Sequence, residues 1–207
     1  MDSRFKNLAM IIGAVVIILV IVFFVLPSIS DSEAVSFEEG IIKLNAIVEN
    51  NNVPIARFQE GEIFSLNNES EIENNFSEQK FLKLKNDLRH FRDSVPESNP
   101  KLITTANFYI ELVELNEKKK AIYDKIVSIN DETVNCDLLP ELNELLSLEI
   151  EYETEAVEFS FETSDFIIEN IELSGVEELQ LSFNSDLLVN DVTIVQESVA
   201  VLEEFCE

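Results

Sequence analysis

The 207-residue chain has no Trp, one His, two Cys, four Gly and five Pro. Four widely scattered glycines cannot build a phosphate-cradling loop. A single histidine, His90, removes the metal triads, His-dependent catalytic triads and Glu-x-x-His di-iron motifs. Its neighbours Arg89 and Arg92 place it on a basic, solvated helix face. Two thiols and that distant imidazole are too few soft ligands for a structural metal. Cations are scarce as well: 14 Lys and Arg stand against 41 Asp and Glu, a net charge of −27. Such a chain is repelled by phosphate backbones, which excludes nucleic-acid recognition, and by anionic lipid headgroups for the same reason. With 46% hydrophobic residues it is still too apolar for a disordered acidic tail. No constellation for catalysis is visible, so neither an enzyme nor a cofactor is expected.

Strongly hydrogen-bonding and charged side chains are absent altogether from residues 8–26, LAMIIGAVVIILVIVFFVL. Nineteen helical residues match a hydrocarbon core of roughly 30 Å, so the run reads as a transmembrane helix in contact with lipid. Arg4 and Lys6 precede it, and the next basic residue is Lys43. The positive-inside bias therefore puts residues 1–7 in the cytoplasm and the rest outside the cell membrane. Ser28 and Ser30 also satisfy the small-residue preference of a signal-peptidase site ahead of Asp31, but the run exceeds the usual length of a signal core. Residues 1–7 leave no room for a cytoplasmic output domain.

Beyond the membrane, apolar residues recur three and four apart, which predicts an all-α ectodomain. Residues 27–76 read as a juxtamembrane helix over 31–49, with Phe37, Ile41, Leu44 and Val48 on one stripe, followed by a loop. That loop carries Asn runs, Pro54 and a hairpin signal at Glu60-Gly61. Residues 77–207 read as an up-and-down bundle of about four long helices. The first covers 77–93. The second covers 101–130, its stripe of Phe108, Leu112, Leu115, Ile122, Ile126 and Ile129 interrupted by Lys119. The third carries Leu138, Leu142, Leu145, Tyr152, Ala156, Phe159 and Phe166. The fourth follows the break at Ser174-Gly175 and carries Val176, Leu179, Phe183, Leu187, Ile194, Val201 and Phe205. Residues 148–155 alternate apolar and acidic like a half-buried strand. No hairpin turn lies within them, so a helix with two apolar faces is expected: Leu148, Tyr152 and Phe159 on one, Ile150, Val157 and Phe161 on the other.

Cys136 precedes the third helix and Cys206 ends the fourth. An up-and-down path brings them to the same end, and an extracytoplasmic compartment permits a Cys136–Cys206 disulfide. Two Asn-x-Ser sequons, at Asn68 and Asn75, are candidate glycosylation sites in the loop, although a chain rich in Asn and Ser produces such short matches by chance.

Charge is distributed unevenly. Ten of the 14 cations lie between Lys80 and Lys125, whereas residues 131–207 hold 22 Asp and Glu and no Lys, Arg or His. The two basic-bearing helices are therefore expected beside the two acidic ones. Pairs such as Glu151 with Glu155 and Glu158 with Glu162 read as a solvated acidic face. The function expected is a non-catalytic accessory or scaffolding subunit of a membrane or cell-envelope complex, in contact with other subunits. The alternative is an extracytoplasmic module that senses or binds divalent cations or a basic ligand through a partner protein.

Overall fold

In the computed structural model, residues 36–53, 69–130, 134–179, 181 and 188–206 are described. The apolar run at 8–26, the hairpin signal at Glu60-Gly61 and Asn68 lie outside them. The described residues belong to one compact unit, Ser36–Glu207. They are helical, with no strand among them, and none of their helices is long and apolar enough to cross a membrane.

Helix α1 spans Phe37–Asn51. The Ser36 hydroxyl caps it by accepting the Glu39 N–H at 3.2 Å. Asn52 ends it in the left-handed region at φ 57°, a conformation that Asn tolerates, and its N–H closes onto the Glu49 carbonyl. The residues expected to open this helix, 31–35, lie outside the described part. Its stripe of Ile41, Leu44 and Val48 is buried as the spacing requires. A short helix α2, Glu69–Asn75, stands where the sequence reading had a continuous loop. Ile72 and Phe76 explain it, because both are buried and anchor the segment to the bundle.

Helices α3 (Glu78–Ser94) and α4 (Pro100–Asn130) follow the expected boundaries within one residue. Pro100 suits the first turn of α4, where its missing N–H costs nothing. Helix α5 runs Leu139–Glu169 after a 3₁₀ turn at Cys136–Leu138, so residues 148–155 are helical. Tyr152 and Phe159 are buried while Ile150 and Phe161 are exposed, so α5 does present two apolar faces.

Successive helices pack on one another in the order α3, α4, α5, α6, and α1 lies against both α3 and α4. The helix assigned to the juxtamembrane part is thus integral to the bundle. Gly40 makes this approach close: a Cβ there would overlap the fully buried side chain of Leu102 on α4. Phe108 of α4 meets Phe159 and Phe166 of α5 edge-on, at centroid distances of 6.1 and 5.4 Å.

The last helix departs most from its sequence reading. It was expected to run on from Val176, but Val176–Glu178 form a 3₁₀ turn and Leu179 is extended; α6 is described over Leu188–Cys206, and the expected stripe members Phe183 and Leu187 lie outside the described residues. Tertiary contacts override the helical period here. Gly175 adopts φ 93°, Val176 is buried, and the Asn45 side-chain amide of α1 donates to the Glu178 carbonyl at 3.1 Å. The face of α6 also differs. Val192, Val195, Val199 and Leu202 form its buried side, whereas the expected stripe members Ile194, Val201 and Phe205 are exposed.

Candidate functional site

Two features stand out once the helices are placed: a charged seam between α4 and α5, and an apolar groove at the end of the bundle that carries the cysteines.

The seam uses the lysines that interrupt the apolar stripe of α4. Lys118 donates to Glu151 at 2.7 Å and to Glu155 at 2.5 Å. Burial pulls its ammonium pKa down, but the hydrogen bonds it donates to the two carboxylates, with their charge, outweigh that and leave it raised. Lys119 reaches 3.7 Å from Glu149, which is buried, and lies 5.1 Å from the centre of the Tyr152 ring. Lys125 donates to Glu141 and Glu144, and those hydrogen bonds raise its pKa. The expected pairing of basic against acidic helix therefore holds for α4 against α5. For α3 it does not: Lys85 and Arg89 pair with Glu117 and Glu114 of the basic helix α4 itself. The antiparallel register of α3 on α4 explains this, since it sets those residues opposite one another.

Beyond the seam the carboxylates crowd. Glu111 of α4 is half-buried, and burial, followed by Glu162, Glu114, Glu158 and Glu155, raises its pKa above the ordinary carboxylate value. Among the described residues no three His, Cys, Asp or Glu side chains come together as a metal site.

The groove lies between the C-terminal end of α4 and helix α6, over the start of α5. Its volume is about 630 Å³. Leu138 and Leu202, both buried, floor it; Ile129 and Leu142 wall one side, and Ile194, Val201 and Phe205 wall the other. Those last three are 61%, 68% and 73% exposed. Together they leave a contiguous apolar surface open to solvent. The sequence reading missed it because it assigned the 194-201-205 spacing to the core. The sequence does carry a second, interleaved stripe on α6 at 192-195-199-202, the same two-faced pattern as on α5, but spacing alone does not say which of the two stripes is buried.

The structure joins Cys136 to Cys206, with their Cα atoms 5.7 Å apart, which ties α6 to the start of α5 beneath the groove. Asn75 is the last residue of α2 and half-buried next to the buried Phe76, rather than part of an open loop. His90 is exposed on α3, where its basic neighbours placed it. Comparison with protein-family models, with curated proteins and with solved structures finds no match.

Proposed function

We propose that the chain is a non-catalytic, membrane-anchored subunit that scaffolds or assists a membrane or cell-envelope complex, presenting its acidic bundle outside the cytoplasmic membrane. The observation that carries this reading is the set of large apolar side chains left open on α5 and α6. Phe161 and Ile168 on one helix, and Ile194, Val201 and Phe205 on the other, are each more than half exposed, while the interior beneath them is packed. Such faces fit a subunit whose remaining contacts come from other chains. The apolar run at residues 8–26 supplies the anchor, and the charge bias around it supplies the orientation. Co-purification of the tagged full chain in mild detergent tests the reading. Stoichiometric membrane partners are expected, and migration as a lone monomer would remove its main support.

A second reading, an acidic module that binds a cation or a basic ligand, draws on the glutamates around Glu111. A calcium-dependent rise in melting temperature that survives high monovalent salt would favour it over simple screening.

A further inference from the structure

We propose that the groove between α4 and α6 seats a basic amphipathic helix from a partner protein, an inference that deepens the subunit reading and rests on it. Three observations define the occupant.

The first is shape. Ile194, Val201 and Phe205 follow one another at spacings of seven and four along α6, a ridge of about 16 Å or three helical turns. Opposite them Ile129 and Leu142 form the other wall, with Leu138 and Leu202 below. An open trough of this length, floored by leucine and walled by aliphatic and aromatic side chains, matches the helix-in-groove mode, in which apolar anchors recur at i, i+3, i+4 and i+7. The α6 wall, more than half exposed, leaves the trough open to solvent on that side, so it does not enclose a small molecule in the way a ligand cavity does.

The second is charge. Glu197 lines the groove, and Glu204, seven residues on, lies on the same face of α6 and is exposed. On the α4 side the ammonium of Lys125, four residues before Ile129, is already shared by two carboxylates, Glu141 and Glu144. No Lys, Arg or His occurs after residue 130. The trough is thus apolar at its floor and negative at its rim. A helix with Leu-like residues on one side and Lys or Arg on its flanks complements both.

The third is what the same charge disfavours. A second copy docked by this face would bring Glu197 and Glu204 of one chain against those of the other with no cation between them. An anionic lipid surface meets the same repulsion.

A photocrosslinking and anisotropy experiment on the full chain in zwitterionic micelles tests the proposal. The probes are a short Leu/Lys amphipathic peptide bearing a photoreactive leucine analogue, and its Leu/Glu counterpart. The Leu/Lys peptide is expected to bind at least about tenfold tighter and to crosslink within residues 194–205. Ile194→Asp and Val201→Asp alter exposed side chains, so the fold is retained, as circular dichroism would verify, and each is expected to weaken binding about tenfold. Glu197→Gln with Glu204→Gln should weaken it at low salt and less at high salt. Equal binding of both peptides, crosslinks scattered away from α6, or indifference to Val201→Asp would overturn the proposal. So would a dimer of the full chain in sedimentation that Val201→Asp disperses, since the occupant would then be a second copy. Partners that co-purify equally well with the Val201→Asp variant would sink the groove assignment and leave the subunit reading standing. Peptide docking intact with no co-purifying partner would do the reverse.

Discussion

The ammonium of Lys119 on α4 lies 3.7 Å from the carboxylate of Glu149 on α5, and that glutamate is only 2% exposed. A buried ion pair depends on both of its members, so removing one costs more than the pair itself contributes. Lys119→Met is therefore expected to destabilise the bundle by about 3 kcal/mol or more. The double variant Lys119→Met, Glu149→Leu should recover most of that loss, because two apolar side chains replace two desolvated charges. Thermal melting of the single and double variants checks this, and additive losses would refute it.

Cys136 and Cys206, 70 residues apart, close a loop around the whole of α5 and α6. In the chain-entropy model such a crosslink stabilises the fold by roughly 4 kcal/mol. Intact-mass measurement of the non-reduced chain should find it lighter than the reduced chain by two hydrogens. Reduction, or Cys136→Ser with Cys206→Ser, should lower the melting temperature and loosen α6 first, since α6 is the helix that the bond ties down. Two free thiols in the purified chain would contradict the pairing.

Much of this architecture was legible before any coordinates. The helical period fixed α3 and α4 to within one residue because their apolar stripes are long and their ends carry turn residues such as Pro96, Asn99 and Pro100; it placed α5 as well, but that helix ends at Glu169, ahead of the break read at Ser174-Gly175. The cysteine pairing followed from an up-and-down path together with a compartment that permits disulfides. The 3₁₀ turn at Val176–Glu178 was not legible, because it is held by α1, more than 120 residues earlier, through Asn45. Nor was the face of α6: two interleaved stripes on one helix satisfy the periodicity equally well, and only the position of α5 decides between them. The groove was lost with that choice, because its walls were counted as core. Glu149 was likewise indistinguishable by spacing from the solvated glutamates beside it, until Lys119 was found opposite.

Glu111 predicts a pH dependence whose sign is definite. Burial and the carboxylates of Glu162, Glu114, Glu158 and Glu155 raise its pKa in the folded chain. Above that raised folded value the group is ionised in folded and unfolded states alike, and there the folded state carries the full penalty. As pH falls through the raised folded value, the folded chain takes up the proton first, and this site adds stability until the ordinary unfolded value is passed. Glu111→Gln should therefore stabilise the bundle at pH 7 by roughly a few tenths of a kcal/mol for each like-charge contact relieved. The advantage should shrink as pH drops toward the ordinary carboxylate range. Melting temperatures of the two proteins across that range supply the test, and a gap that widens on acidification would show the sign to be wrong.

Gly175 stands where the chain leaves α5 and returns beneath α1. Its φ of 93° lies in the left-handed region, and a Cβ built on it would come 2.9 Å from the Cα of Glu38. Both obstacles belong to backbone, so neither relaxes by a side-chain rotation. The same corner is tied by the Ser174 hydroxyl, which donates to the Glu38 carboxylate at 2.8 Å, and by the buried Val176 that follows. Gly175→Ala is thus expected to cost about 1–2 kcal/mol in conformational strain, with the displacement of α1 added to it. Ser174→Ala removes only an exposed hydrogen bond and should cost less than about 1 kcal/mol. Denaturant melts of the two variants separate these contributions. If Gly175→Ala proves no worse than Ser174→Ala, the corner is not the rigid junction that its backbone geometry indicates.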